Sequence, residues 1–226
     1  MSVKYPVNGY VRRMDFRAWV PPTPEELELR TLARRMRSLK KMRTQEKNRL
    51  HVSEYLCESV RHDVEINIRH LNRRLKALEK KALDLAWKYP RLRKQLAHLT
   101  SIRGVGTTSA IQILGEICVF PKDMTPRQWV AMAGLDPRIE KSGVSLNAPA
   151  RISRMGNRSL RAALFMPALV AVRWEPQVKA FYEKLIANQK AKMQAVVAVM
   201  RKLLHAIHGM LRTETDFDGK KFYAGS

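Results

Sequence analysis

Ser142 stands beside Gly143 in EKSGVSLNAPARISRMGNRSLR, residues 140–161, and Arg151, Arg154, Arg158 and Arg161 follow it. A serine hydroxyl becomes a useful nucleophile toward a phosphodiester when cations neutralise the phosphate and a base or metal eases the loss of its proton. Arginine forks match phosphate oxygens in geometry as well as charge, so the neighbours have the right chemistry. Arg154, Arg158 and Arg161 recur at helical intervals and share one face if a helix begins before Asn157. Taken by itself, a Ser-Gly in a loop reads as a turn, and at this level both readings of Ser142 stand.

A second chemical candidate lies in LTSIRGVGTTSAIQIL, where Leu99 and Ile102 precede Gly104-Val105-Gly106 and Ala110, Ile111 and Leu114 follow. This is the pattern of a helix-hairpin-helix. Glycines at both turn positions admit positive φ and a close backbone approach, and the free N–H groups of the next helix start can cradle a phosphate. Gly104, Gly106 and Thr107 are therefore candidates for gripping a DNA backbone without reading bases. The alternative is an ordinary tight connection between helices.

Metal chemistry has weaker support. Glu116, Asp123, Asp136 and Glu140 lie in the near-neutral middle of the chain, but no spacing among them compels the convergent carboxylates of a two-metal site. His205 and His208 are three apart on an expected helix with no acid or cysteine one turn away, which favours ordinary surface or core histidines. Cys57 and Cys118 are far apart and unpaired in spacing, so neither a disulfide framework nor a zinc knuckle is expected, and no metal ligand is assigned in this chain.

These residues must be carried by helices. Thr23, Pro24 and Glu26 form a capping-box start, after which Leu29, Leu32, Met36, Leu39 and Leu50 keep steps of three and four. Val64, Ile68, Leu71, Leu75, Leu78, Ala82 and Leu85 form a cleaner seam that Tyr89 and Pro90 stop. Thr125, Pro126 and Gln128 repeat the capping signature, with Gly134 as the stop. Further helices are expected from Asn157 to about Arg173 with a kink at Pro167, from Pro176 to Asn188, and from Met193 to Leu211. The expected fold is all-α: residues 1–22 a linker, 23–90 a long antiparallel coiled-coil arm, 91–212 a compact helical domain containing the helix-hairpin-helix, and 213–226 a flexible tail.

Charge bounds the partner. Across 226 residues, 43 Lys and Arg oppose 20 Asp and Glu, a formal net charge of +23. The excess sits on both sides of a nearly balanced centre from Gly104 to Ala150. A polyanion is the expected partner, against the bland alternative of a charged, solubilising surface. The N-terminus has no signal-peptide core, and the longest apolar run, AALFMPALVAV, is about half a membrane span and contains Pro167, so a cytoplasmic, nucleoid-associated protein with no membrane partner is expected.

IRGVGTTSA, AGLDP followed by KSG, RISRMGNRSLR and MRKLL, together with WVPPTPEELELRTLARR and MRTQEKNRL, resemble transposases of the insertion-sequence 110/116/902 type in the same order over most of residues 19–212. The resemblance implies a DNA recombinase whose SG serine, here Ser142, attacks a DNA phosphodiester and forms a covalent phosphoserine link. It implies a coiled-coil arm used in assembly, hence a homo-oligomer, and a structured guide RNA that pairs with target and donor DNA. Gly104, Gly106, Thr107, Arg151, Arg154, Arg158 and Arg161 take the DNA-binding role. It also implies an N-terminal RuvC-like domain whose four acidic residues bind a divalent metal such as Mg. The sequence starts close to where that domain is expected to end, so the metal is expected outside this chain. The alternative from another class is a non-catalytic nucleic-acid-binding and oligomerising module.

Overall fold

The computed structural model describes residues 20–52, 57–138, 141–142, 146–147, 151–153 and 155–224. The first helix, α1 (Pro24–Val52), starts at the expected cap: the Thr23 amide donates to Glu26 Oε2 at 2.9 Å. Glu25 and Glu26 occupy its first turn and Arg49 and His51 its last, which complements the helix dipole at both ends. Its seam buries Leu29, Ala33, Met36 and Leu39. α2 (Glu58–Lys88) buries Val64, Leu71, Leu75, Ala82 and Leu85. The two run antiparallel, with Arg43 Nη1 donating to Asn72 Oδ1 at 2.9 Å across the pair.

Tyr89 leaves the helical region at φ −115°, and Pro90 opens α3 (Pro90–Thr100). The central element is α4 (Thr107–Ile117), buried continuously from Ile113 to Ile117. Gly115 lets α4 press on α1, because a Cβ there would lie 2.8 Å from the Ala33 Cβ. α5 (Pro126–Ala133) has both halves of the capping box between Thr125 and Gln128, and Gly134 closes it in the left-handed region at φ 64°. After an extended excursion come α6 (Arg158–Trp174), α7 (Pro176–Ala187), α8 (Lys192–Thr213) and the short α9 (Gly219–Phe222). The helix α6 continues on both sides of Pro167, which is buried within it.

Helices form the fold, with one local exception: β1 (Pro137–Arg138) pairs antiparallel with β4 (Arg151–Ile152), and β2 (Lys141–Ser142) with β3 (Leu146–Asn147). Each strand is two residues long, so these ladders shape a single excursion and form no layer.

Packing bears on two of the expected bounds. The boundary near residue 91 is not a break in the core: one buried cluster joins Leu29 and Met36 of α1 to Leu85, Ile111, Leu164 and Leu204. The base of the helix pair is part of the main body because its seam continues into α4. The tail is not frayed as far as Ala224. Asp218 caps α9 by accepting from the Lys220 amide at 2.9 Å, Phe222 is 4% exposed with its ring edge-on to Phe181, and the Phe217 amide donates to Ser101 Oγ at 2.9 Å. Aromatic burial, invisible in the polar DFDGKK spelling, holds it. Among the described residues no helix is long and apolar enough to cross a membrane.

Candidate nucleic-acid interface

Ser142 lies near the far end of the excursion. Its Cα pairs with that of Leu146, Lys141 pairs with Asn147, and at the base Pro137 pairs with Ile152 and Arg138 with Arg151. The sequence placed Ser142 in a plain loop between helices; the backbone instead forms a short antiparallel ladder there. Two glycines fix the neck. Gly134 has φ 64° and Gly156 φ 124°, and a Cβ on Gly156 would lie 3.0 Å from the Gly134 amide nitrogen and press on the Met132 carbonyl. The Asn157 amide donates to Met132 O at 2.6 Å and the Ser153 amide to Asp136 O at 2.8 Å, so the chain leaves and returns at one point.

Cations meet at this neck. Asn157 caps α6, its Oδ1 accepting from the Ser159 and Leu160 amides at 2.9 and 3.0 Å, which places Arg158 and Arg161 in the first turn of that helix. Arg161 Nη1 donates to Ala133 O at 2.8 Å. Arg37 comes from α1, its Nη1 donating to Arg158 O at 3.0 Å. A cleft of about 1070 Å³ runs from Pro137 and Ile152, the base of the excursion, past Arg37, Arg158 and Arg161 to Arg201. Among the described residues lining it there is no carboxylate. The backbone of Arg151 lies in β4, opposite Arg138, whereas Arg154 falls outside the described residues.

The turn at 101–106 does not join this cluster. Gly104, at φ 105°, packs on the middle of α6, where an added Cβ would meet Ala171 N at 2.8 Å and Pro167 O at 3.0 Å. Those positions lie roughly 13–20 Å along the helix from Arg158 at 1.5 Å per residue. Gly106 and Thr107 are exposed at the start of α4, but the Thr108 hydroxyl there donates to the Glu79 carboxylate of α2. The DNA-binding set proposed from sequence therefore separates into a neck cluster and a distant turn.

Glu116 is structural in its contacts. It is 2% exposed, receives Arg34 Nε at 2.8 Å and Nη2 at 3.0 Å, and receives Asn157 Nδ2 at 2.7 Å, with Arg30 Nε at 3.6 Å. Burial pushes its pKa up, but the Arg34 and Asn157 hydrogen bonds and the charges of Arg34 and Arg30 outweigh that and hold the carboxyl below its usual range. His208 is a core residue, its Nε2 within 2.9 Å of Met124 O and its ring edge-on to Trp129. Burial, followed by the charges of Arg201, His208 and Arg127, lowers the His205 pKa. Burial pushes the Cys118 thiol up to about 12, an inert filler. Among the described residues no group of three or more His, Cys, Asp or Glu could hold a metal ion. With Glu116 committed to Arg34 and Asn157, the described carboxylates do not form a site for a divalent metal.

Sequence reasoning missed the contribution of α1. Arg30, Arg34, Arg37 and Lys41 line a second cleft, of about 840 Å³, with Asn157 and Arg158. The signal was present as a 4-3-4 spacing beside the leucine seam, but there it reads as the solvated face of a helix pair.

The described residues form a helical body with a basic cleft at the base of the Ser142 excursion. Residues 96–183 match the family described as Transposase IS116/IS110/IS902 family, so that stretch is similar to the members of that family. The chain is 29% identical over 201 residues to the pilin gene-inverting proteins of Moraxella bovis and Moraxella lacunata, a match covering 88% of this chain and 62% of each of those proteins. It is 30% identical over 125 residues to an insertion element IS110 uncharacterized 43.6 kDa protein of Streptomyces coelicolor, covering 54% of this chain and 30% of that protein. The chain thus spans under two thirds of the length of these relatives.

Proposed function

We propose that the chain acts in DNA transposition or recombination, cleaving and rejoining strands through Ser142. Ser142 Oγ attacks a phosphodiester phosphorus; its bond to phosphorus forms as the bond to one deoxyribose oxygen breaks. The serine proton leaves to water, and the departing oxygen takes up a proton. Attack by a deoxyribose hydroxyl of the second strand reverses the step and releases the serine. Arg158 and Arg161, with Arg151 and Arg154 from the excursion, neutralise the phosphoryl oxygens. Gly106 and Thr107, exposed at a turn that Gly104 seats against α6, grip the backbone of an adjacent DNA segment. The partners in this reading are DNA, a structured guide RNA and a second copy of the chain through the coiled-coil helix pair, with a divalent metal supplied from outside the described residues.

The observation that carries the reading is that the base of the Ser142 excursion, at Pro137 and Ile152, lines a cleft with Arg37, Arg158, Arg161 and Arg201 and with no carboxylate among its described lining residues. The family match over 96–183 and the gene-inverting name of the Moraxella relatives support it. The test is selection of covalent complexes from a nicked DNA duplex library with a randomised centre, with Mg and structured RNA supplied. Adducts that survive denaturation with the native chain, and vanish with Ser142→Ala, are expected. Reversible DNA binding without any adduct contradicts the proposal and favours the non-catalytic module.

A further inference from the structure

We propose that the cleft between α1 and the first turn of α6 is a second, sequence-independent phosphate track, holding duplex DNA that flanks the reacting phosphodiester. This rests on the DNA reading above. Arg30, Arg34, Arg37 and Lys41 follow one another at steps of four, three and four, so a single face of α1 presents them all to the cleft. From Arg30 to Lys41 they cover about 16 Å of helix axis, the length of about five phosphates of one strand at 3.4 Å each.

Charge in the cleft is unbalanced. Among the described residues no carboxylate lines it. Glu116, beneath it, serves Arg34 and Arg30 together and sets the direction of the Arg34 fork. Arg37 faces Arg158, Arg161 and Arg34; burial first and then those like charges, partly offset by Glu116, hold its guanidinium below the usual range. An anion in the cleft relieves that crowding. Arg37 and Arg158 also line the cleft beneath the Ser142 excursion, so the two form one path that bends at this pair.

The chemistry favours a duplex over a single strand. Sites for single strands offer aromatic rings on which bases stack. The aromatic ring among the described lining residues is that of Phe120, which is 8% exposed and packed edge-on to Trp129. Asn157, the lining amide, is occupied by Glu116 and by its own helix cap, so phosphate contacts that position without specifying are what remains.

The experiment is fluorescence anisotropy of a labelled DNA duplex of about 20 base pairs against the full chain, between about 50 and 200 mM salt. Arg37→Ala combined with Lys41→Ala should make the log–log salt slope shallower by about 1.8, the loss of two phosphate contacts. Ser38→Glu, which adds an acid at an exposed position in the same cleft, should weaken binding without lowering the melting temperature. Arg73→Ala combined with Lys76→Ala, on the exposed side of α2, is the control and should leave the slope unchanged. An equal slope in all variants overturns the track, as does a loss confined to a single strand of the same sequence. Equal slopes with the Ser142 adduct still forming overturn the track alone. The expected slope change without an adduct supports the track while removing the strand-cleavage reading.

Discussion

Arg37 Nη1 reaches the main-chain carbonyl of Arg158 at 3.0 Å, tying α1 to the first residue of α6 across 121 positions of sequence. Through this bond the helix pair and the neck of the Ser142 excursion become one surface. A basic arm and a basic arginine run, separate in the sequence, are neighbours in space.

Glu116 holds that junction from below, so its loss should be felt in stability. Glu116→Ala leaves Arg34 and Asn157 without their shared acceptor; since Arg34 is half exposed, the cost should be about 2 kcal/mol rather than the full price of a buried pair. The melting temperature should fall by roughly 4–8 °C. Circular dichroism at the helix band measures it, and an unshifted transition would contradict the structural role.

The same group predicts a pH dependence. Its folded pKa lies below the ordinary 4.5, so its contribution is fully present above that value and is lost as pH falls through the folded pKa. Between about pH 5 and pH 3 the native chain should lose melting temperature more steeply than Glu116→Gln, which has no carboxyl to protonate. Parallel curves would show that Glu116 gains nothing on folding.

Gly156→Ala tests the neck. A side chain at φ 124° is strained and meets the Met132 carbonyl, so the excursion must shift. Displacement near 1 Å is enough to lower strand cleavage about 100-fold. Duplex affinity, set by Arg37, Arg158 and Arg161, should change far less; equal losses in both would mean that the neck does not position Ser142.

Phe222→Ala should cost about 3 kcal/mol, because the ring is 4% exposed among Phe181 and Phe217. Chemical denaturation with a lowered midpoint and unchanged slope is the expected result. A midpoint equal to that of the native chain would restore the frayed tail.

Self-association of the helix pair has a narrower test than removal of residues 1–90, which would also remove the core residues Leu29, Met36 and Leu39. Met42, Val60 and Ile66, each over 40% exposed toward the free end beside the more exposed Val52, are apolar groups available to a second copy. Light scattering should give a dimer for the native chain and a monomer when these three are changed to Lys. A native monomer ends the proposal.

Much of the fold was legible because its signals are local. Thr125, Gln128 and Gly134 spell a helix start and stop that depend on neighbours only, and the structure forms both. Val64, Leu71, Leu75, Ala82 and Leu85 announce a buried seam by spacing alone. What escaped depends on partners far along the chain. Glu116 looked like a spare acid until Arg34 and Asn157 closed on it, from 82 and 41 positions away. Gly104 looked like a phosphate-gripping turn, and its close approach is to the backbone of α6. Arg37 read as a solvated face because nothing in its own helix names Arg158.

The central claim is that Ser142 bonds to DNA, and the site of attachment tests it most directly. Trypsin cuts after Lys141 and Arg151 to release SGVSLNAPAR, which holds Ser142 and Ser145. After nuclease trimming of the denatured complex, fragmentation mass spectrometry should place a nucleotide remnant on Ser142. A remnant on Ser145, or an unmodified peptide from a chain that has cleaved DNA, would contradict the account.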